Sequence, residues 1–177
     1  MKKLIIILLA ISISACSTMQ PPRYSSSVDN VVALRELGTA KLNVSNLTQS
    51  AKFSANCRLM GPIEPADGLS MPDFIAKAFN DEFKLANIYS ESGTTITGDI
   101  TKIQFSSISG LTNGFWDIGL VLGSSNGNSL VVENKFDFKS GFDAITACNA
   151  TADALSPAIQ DLIYKTVTSP EFNDLIR

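Results

Sequence analysis

The sequence predicts an α+β domain of two layers, in which a largely antiparallel sheet of about five strands carries two main helices on one face. Three observations predict this fold class. Apolar and polar residues alternate in several segments of residues 39–139, as in strands with one buried face. Residues 70–87 and 145–167 instead place apolar residues at helical spacing. The length that follows the N-terminal region, about 140 residues, suits one hydrophobic core.

The first two predicted strands lie within residues 39–59 and are joined through the polar residues 45–50. Their alternation places Cys57 on the inward face together with Phe53. Glycine and proline residues interrupt regular structure at 60–69, which is therefore predicted to be a loop.

Three further strands are predicted at residues 94–109, 115–122 and 130–139. The apolar pattern of the first of them slips between Ile100 and Ile103, which indicates a β-bulge. Asn126-Gly127 separates the last two strands and is a strong signal for a tight hairpin turn. These three strands are therefore expected to be consecutive and antiparallel.

Turn and capping residues delimit the helices. Ser70 can cap the first helix, and Pro72 suits its first turn. Pro157 interrupts the second helix, so that either the helix kinks there or a new segment begins at Ser156. A short final helix is predicted after Ser169.

The N-terminus has the three parts of a secretory signal peptide, predicted at residues 1–15. It contains two lysines, an apolar stretch at 4–10 and a small residue, Ala15, directly before Cys16. Residues 13–16 resemble the bacterial lipobox, which implies that the chain is cut before Cys16 and that this cysteine is the lipid attachment site. The alternatives are an ordinary signal peptide, or a core helix in which the cysteine occurs by chance.

The chain is predicted to have three parts: the signal peptide, an acylated flexible tether at 16–38 and a single domain at 39–177. Serine and proline residues predict an extended conformation for 17–30, and 31–37 is predicted to be a turn of helix or a loop. Ser17 directly after the lipidated cysteine resembles the outer-membrane class of lipoproteins. The expected location is the outer membrane, facing the periplasm.

Cys57 and Cys148 are the remaining cysteines, and an oxidising compartment favours a disulfide between them. Such a bridge would close a loop of about 90 residues and could contribute roughly 4 kcal/mol on the chain-entropy model. Two separately buried thiols remain the alternative, because a sequence does not show whether two Cα atoms come within bridging distance.

Charge and composition narrow the possible functions. The whole chain has 14 basic and 17 acidic side chains, and removal of Lys2 and Lys3 with the signal peptide leaves a formal charge of −5. This charge disfavours nucleic acid as a partner. The chain has no histidine, which removes the commonest general base and metal ligand. Neither a metal, a cofactor nor a catalytic residue is predicted.

Two motifs that could suggest catalysis have ordinary structural interpretations. Residues 123–127 fit G-x-S-x-G, but a hydrolase needs this motif in a strand-to-helix turn with a histidine, whereas here it joins two predicted strands. The acidic pairs Asp81-Glu82 and Glu133 with Asp137 have lysine neighbours, and we expect them to be solvated.

Phe115-Trp116 is the remaining candidate for a binding site. Neighbouring residues of a strand point to opposite faces, so one of the two rings must leave the face on which the other packs. An exposed Phe115 could anchor a protein or a glycan. Coverage by a helix, or a solitary surface aromatic residue, is the alternative.

Four short phrases and the order of the elements carry a family resemblance. The phrases are Phe79-Asn80-Asp81-Glu82-Phe83, Thr97-Gly98-Asp99-Ile100, Ser125-Asn126-Gly127-Asn128 and Pro170-Glu171-Phe172. With these features the chain resembles small bacterial lipoproteins of the YajG type, from which it departs in carrying Cys57 and Cys148. The resemblance supplies no catalytic residues.

These observations predict a non-enzymatic, lipid-anchored periplasmic lipoprotein that serves as an adaptor or accessory subunit of an envelope assembly. Its expected partners are the membrane, through the acyl chains on Cys16, and another envelope protein. The alternative is a carrier or sensor that binds lipid or glycan in a cleft between helices and sheet. A hydrolase that works without histidine is the third and least favoured interpretation.

Overall fold

The computed structural model describes residues 19–177, so the predicted signal peptide at 1–15 and the lipidation of Cys16 lie outside the described residues. The elements follow the chain in the order α1 (Val28–Arg35), β1 (Leu42–Gln49), α2 (Met71–Leu85), β2 (Thr94–Ser109), β3 (Asn113–Ser124), β4 (Ser129–Lys139), α3 (Ala144–Asp153), α4 (Leu155–Val167) and α5 (Pro170–Ile176). A 3-10 turn, Ala66–Gly68, precedes α2.

The predicted α+β class is confirmed, but the sheet of the described residues is mixed and has four strands in the order β1-β2-β3-β4. The β2–β3 and β3–β4 pairs are antiparallel, as predicted. The β1–β2 pair is parallel, because the chain crosses between these strands through α2 instead of turning in a hairpin.

Residues 51–59 do not form the fifth strand that the alternating pattern predicts. Alternate side chains are more and less buried there, as in a strand. Ala51 N donates to Ile100 O of β2 at 3.1 Å, but after Ala51 the backbone pairs only locally. Ile63 N donates to Ala55 O at 2.9 Å, and Cys57 N donates to Gly61 O at 2.9 Å. Alternation of apolar and polar residues indicates an extended segment with one side packed on the protein. It does not show whether another strand is hydrogen-bonded to that segment.

The predicted bulge and hairpin are both present. The pairing of β2 with β3 shifts register between Ile100 and Lys102. The β3–β4 turn places Gly127 at φ 93°, a left-handed conformation that glycine adopts at little cost. The Asn126 amide also donates to the carbonyls of Asp174 and Leu175, at 3.1 and 3.0 Å. Asn126 therefore fastens the hairpin to α5.

Helix α2 begins as predicted: the Ser70 hydroxyl accepts from Asp73 N at 3.2 Å, and Pro72 occupies the first turn. The predicted second helix is two helices, of which α3 ends at Asp153 and α4 begins at Leu155. The break therefore precedes Pro157, whose ring would crowd the preceding turn of a continuous helix. A new segment was the second of the two predicted alternatives, but it begins at Leu155 and not at Ser156.

The helices cover one face of the sheet, and the other face is open. Trp116 and Leu120 of β3 and Phe79 of α2 belong to one core and are at most 1% exposed. The Trp116 indole N–H donates to Thr151 O of α3 at 2.9 Å. On the opposite face, alternate residues of β4 such as Val131 are exposed. The β4 pattern is thus that of a strand with one core face.

The segment expected to be a tether, residues 16–38, contains residues that pack on the domain. Helix α1 forms at Val28–Arg35, where a marginal turn of helix or a loop was predicted. Glu82 of α2 holds the preceding residues, since its carboxylate accepts from Tyr24 OH at 2.6 Å and from Ser27 N at 2.7 Å. Burial, together with the hydrogen bond to Glu82, raises the pKa of Tyr24 far above its ordinary value.

Glu82 itself differs from the prediction that the Asp81-Glu82 pair is solvated. Asp81 is paired with Lys77 and Lys84, as the helical spacing indicates, but Glu82 is fully buried. The sequence did not reveal this because Glu82 meets its partners only after residues 24–30 fold back across α2. Moving a carboxylate from water into the protein interior costs free energy, and the hydrogen bonds that it accepts there offset this cost.

We predict that Glu82→Ala lowers the free energy of unfolding by about 2–4 kcal/mol, because Tyr24 OH and Ser27 N lose their shared acceptor. Glu82→Gln keeps an acceptor oxygen and is expected to cost much less. Urea denaturation of the purified chain measures both effects. The matched control is Asp81→Ala on the partly exposed side of α2, with an expected loss below about 1 kcal/mol. Equal losses for Glu82→Ala and Asp81→Ala would contradict the role given to Glu82.

Candidate docking surface at the disulfide end of the sheet

Three loops meet at the end of the sheet where β2 turns into β3. They are residues 57–61, the β2–β3 turn and the 140–143 connection into α3. Arg58 joins the first loop to the end of β2 and to the 140–143 connection, because its guanidinium donates to Ser107 Oγ at 2.9 Å, to Ser107 O at 3.1 Å and to Phe142 O at 3.2 Å. The Ser140 hydroxyl donates to the same Ser107 carbonyl at 2.7 Å. The hydrogen bonds from the Arg58 guanidinium are charge-assisted and are therefore stronger than bonds between neutral groups.

Large apolar side chains project into solvent around this junction. We call them the apolar end surface, which comprises Leu59, Met60, Ile108, Leu111, Phe142 and Ile145. Leu59 is fully exposed, and Phe142 and Leu111 are 82% and 77% exposed. Single exposed apolar residues are common on proteins, whereas a group of them at one end of a molecule is typical of an interaction site.

The disulfide between Cys57 and Cys148 supports this surface from beneath. The bridge is present with its Cα atoms 5.8 Å apart, so the predicted pairing is confirmed and the alternative of two free thiols is excluded. Both cysteines are buried. The bridge joins the irregular 57–61 loop to α3, and thereby fixes the loop on the helical layer.

The backbone of the loop is locally strained at the exposed position. Arg58 and Leu59 have φ angles of 45° and 62°, in the left-handed region that non-glycine residues seldom adopt. Such conformations cost of order 1 kcal/mol or more and persist where the surroundings determine them. Here the Arg58 hydrogen bonds and the neighbouring disulfide do so, with the result that the Leu59 side chain is presented to solvent.

Phe115 and Trp116 point to opposite faces, as strand geometry predicts. Trp116 is fully buried in the core and has no surface for a partner. Phe115 lies half-buried on the open face, where the Lys135 ammonium sits 4.8 Å from its ring centroid. A lysine over an aromatic face is a favourable cation–π arrangement. Trp116 therefore contributes nothing to the apolar end surface, and Phe115 is only partly exposed on the open face.

Sequence reasoning did not find the apolar end surface. Its members come from three segments that are distant in the chain, and the sequence assigned Leu59 to a strand. The available signal was the sequence Leu59-Met60-Gly61-Pro62, in which two large apolar residues directly precede turn residues.

The charged groups of the open face form ion pairs. Burial tends to raise the pKa of Asp117, but hydrogen bonds from Lys102 and Gln104 outweigh it and lower the pKa below its ordinary value. The same hydrogen bond to Asp117 raises the pKa of Lys102. Lys102 Nζ lies 2.8 Å from Asp117 and 3.7 Å from Glu133. Both shifts favour the ionised forms of Asp117 and Lys102.

The G-x-S-x-G motif lies in the β3–β4 hairpin, as predicted. Ser125 Oγ accepts from Thr95 N at 3.2 Å, so this hydroxyl joins the hairpin to β2. Among residues 19–177, no group of three or more His, Cys, Asp and Glu side chains is placed to hold a metal ion. No helix in the same range is both long and apolar enough to cross a bilayer.

Comparisons with known proteins give no family assignment. No protein-family model matches the chain, and a search of curated proteins finds no significant match.

We predict that replacing both bridging cysteines by serine, Cys57→Ser with Cys148→Ser, lowers the free energy of unfolding by up to about 4 kcal/mol, because the bridge closes a long loop in the unfolded chain. Urea denaturation measures the change. Reduction of the wild-type chain should give a similar loss, whereas dithiothreitol should not affect the variant. A wild-type chain whose unfolding is insensitive to dithiothreitol would contradict the contribution of the bridge.

Proposed function

We propose that this chain is a non-enzymatic lipoprotein of the bacterial envelope, anchored through Cys16 to the outer membrane and facing the periplasm. There it acts as an adaptor that docks another envelope protein. The observation that carries the docking role is the apolar end surface. The anchor is supported by the lipobox-like residues 13–16 and by the disulfide, which suits an oxidising compartment.

The chemistry of the surface fits a protein partner. Burial of one large aliphatic or aromatic side chain is worth roughly 1.5–3 kcal/mol, so a few of the six could supply a useful binding free energy. Their support is rigid, because Arg58 and the disulfide hold the loops before a partner arrives. Preorganisation of this kind reduces the entropy lost on binding.

The shape of the grooves favours docking over the carriage of a lipid or glycan. The groove lined by Val28, Val31 and Leu85 measures about 290 Å³ and is open to solvent. A second groove of about 290 Å³, between Phe53 and Pro72, is likewise open. A groove of about 500 Å³ beside Asn113 and Lys139 is open as well. A carrier is expected to enclose most of its ligand, which none of these open grooves does.

The non-enzymatic part of the proposal rests on the available side chains. The sequence lacks histidine, and the Ser125 hydroxyl is engaged with the β2 backbone. Among the described residues, the two buried acidic groups are likewise engaged, because Glu82 holds the N-terminal segment and Asp117 is paired with Lys102.

We predict that Cys16→Ser abolishes the incorporation of labelled palmitate and moves the chain from the membrane fraction to the soluble fraction of bacterial envelopes. The reason is that Cys16 offers the thiol that would carry the acyl chains. The matched control is Cys57→Ser with Cys148→Ser, which keeps Cys16 and should keep the label. Undiminished labelling of Cys16→Ser would contradict the anchor.

We predict that photo-crosslinkers at Leu59 and Phe142 capture the same envelope protein in intact cells, because both side chains lie on one docking surface. The matched control position is Val28, which is 77% exposed on α1 and lies outside that surface. Phe142→Ser should abolish capture from position 59, whereas Val28→Ser should not.

Two results would contradict docking at the apolar end surface. One is equal capture of the same protein from position 28. The other is a crosslink from positions 59 and 142 to lipid alone.

A further inference from the structure

The two edge strands of the sheet, β1 and β4, differ in whether other parts of the chain hydrogen-bond to their outward backbone groups. At the β1 edge, the Asn80 side chain of α2 accepts from Val44 N at 2.9 Å and donates to Val44 O at 2.8 Å. Leu42 N donates to Ile88 O, and Leu42 O accepts from Ser90 N. These contacts occupy backbone groups that would otherwise be free to pair with another strand. The β1 edge is therefore closed over Leu42 to Val44, the first part of the strand.

The β4 edge is open along its whole length. At its two ends, Ser140 N donates to Thr112 O, and Asn128 O accepts from Ser124 N. The register with β3 is continuous between them. Even-numbered residues of β4 therefore bond to β3, and by strand alternation the odd-numbered residues direct their N–H and C=O groups outward. No hydrogen bond found within residues 19–177 reaches those outward groups.

The same odd-numbered residues carry alternating charges on the open face. In order along β4 they are Glu133, Lys135, Asp137 and Lys139. All four side chains are exposed. Their ion pairs within the chain are long, at 3.7 Å between Lys102 and Glu133 and 4.0 Å between Lys135 and Asp137, and exposed pairs of this kind contribute little free energy. Charges on an edge strand normally prevent unspecific pairing, but an alternating series is complementary to itself when a second copy runs in the opposite direction.

We propose that β4 pairs antiparallel with β4 of a second copy about a two-fold axis at Phe136, so that two sheets join into one of eight strands. In this register Lys135 lies opposite the second copy's Asp137, and Glu133 lies opposite its Lys139. Symmetry repeats both pairs, which gives four opposite-charge pairs. The inference goes beyond the proposed adaptor function and does not depend on it.

Charge selects this register over its neighbours. An axis at Lys135 would place that lysine against itself and Glu133 against Asp137. An axis at Asp137 would place that aspartate against itself and Lys135 against Lys139. An axis at Asn134 gives two favourable pairs, between Glu133 and Lys135. The axis at Phe136 gives four favourable pairs and no like-charge pair. The same charges therefore stabilise this register and disfavour the neighbouring ones.

On the helical side of the strand, Phe136 lies at the axis beside a groove of mixed polarity. Phe136 is half-buried, and it lines an open groove of about 270 Å³ with Pro157 and Tyr164 of α4. Tyr164 is 44% exposed. Residues directly opposite at a non-hydrogen-bonded position of an antiparallel pair approach to about 4.5 Å between Cα atoms. The two Phe136 rings would therefore meet across the axis and cover apolar surface that each copy leaves open.

The test is a charge exchange on the purified full-length chain, with dimer dissociation followed by sedimentation equilibrium. Lys135→Glu and Asp137→Lys each create two like-charge pairs, and each should weaken the dimer by roughly tenfold or more. The double variant restores both pairs in reversed order and should return to within about threefold of wild type. Lys52→Glu, an exposed lysine outside the sheet, is the control for net charge and should dissociate like wild type.

Recovery in the double variant also shows that each substitution is compatible with folding. A wild-type chain that remains monomeric at every concentration tested would overturn the proposal. So would single variants that dissociate like wild type, or a double variant that stays as weak as the single ones.

Discussion

The structure depends on the burial of one face of the sheet beneath the helices. The central strands direct Ile100, Trp116 and Leu120 toward α2, α3 and α4, and these side chains are excluded from solvent. Removal of apolar surface from water is the main favourable contribution to folding. The helices occupy only one face of the sheet. The opposite face, the β4 edge and one end of the sheet therefore stay accessible. The surfaces proposed to bind partners are those that the core does not use.

Near residues 51–61, at the end of the sheet, the Cys57–Cys148 disulfide holds the chain in place where continuous strand pairing is absent. Residues 51–61 lack a continuous strand partner, so their position is determined by a bridge from Cys57 to α3 and by the hydrogen bonds of Arg58. These restraints hold Leu59 in an unfavourable backbone conformation and leave its side chain in water. Both features cost free energy in the isolated chain, which is consistent with a surface adapted to a partner.

The proposed dimer and the apolar end surface are compatible, because they use different parts of the molecule. In an antiparallel β4 pair the two end surfaces point in opposite directions along the strands. The two Phe142 residues then lie roughly 40 Å apart, since each is six residues from the axis. A dimer of this kind presents two docking surfaces at once. Bivalent attachment raises the effective affinity without any new contact.

The sequence by itself determined the α+β class, the β2–β3–β4 meander with its bulge and its Asn126-Gly127 turn, and the start of α2. Each of these depends on local periodicity or on turn and capping residues, which act over a few neighbouring positions. It also identified the two cysteines that pair. The tertiary structure alone decided the parallel placement of β1, the absence of a fifth strand, the burial of Glu82 and the assembly of the apolar end surface. These features arise from contacts between residues far apart in the chain, and no local pattern encodes which distant segment will supply the partner.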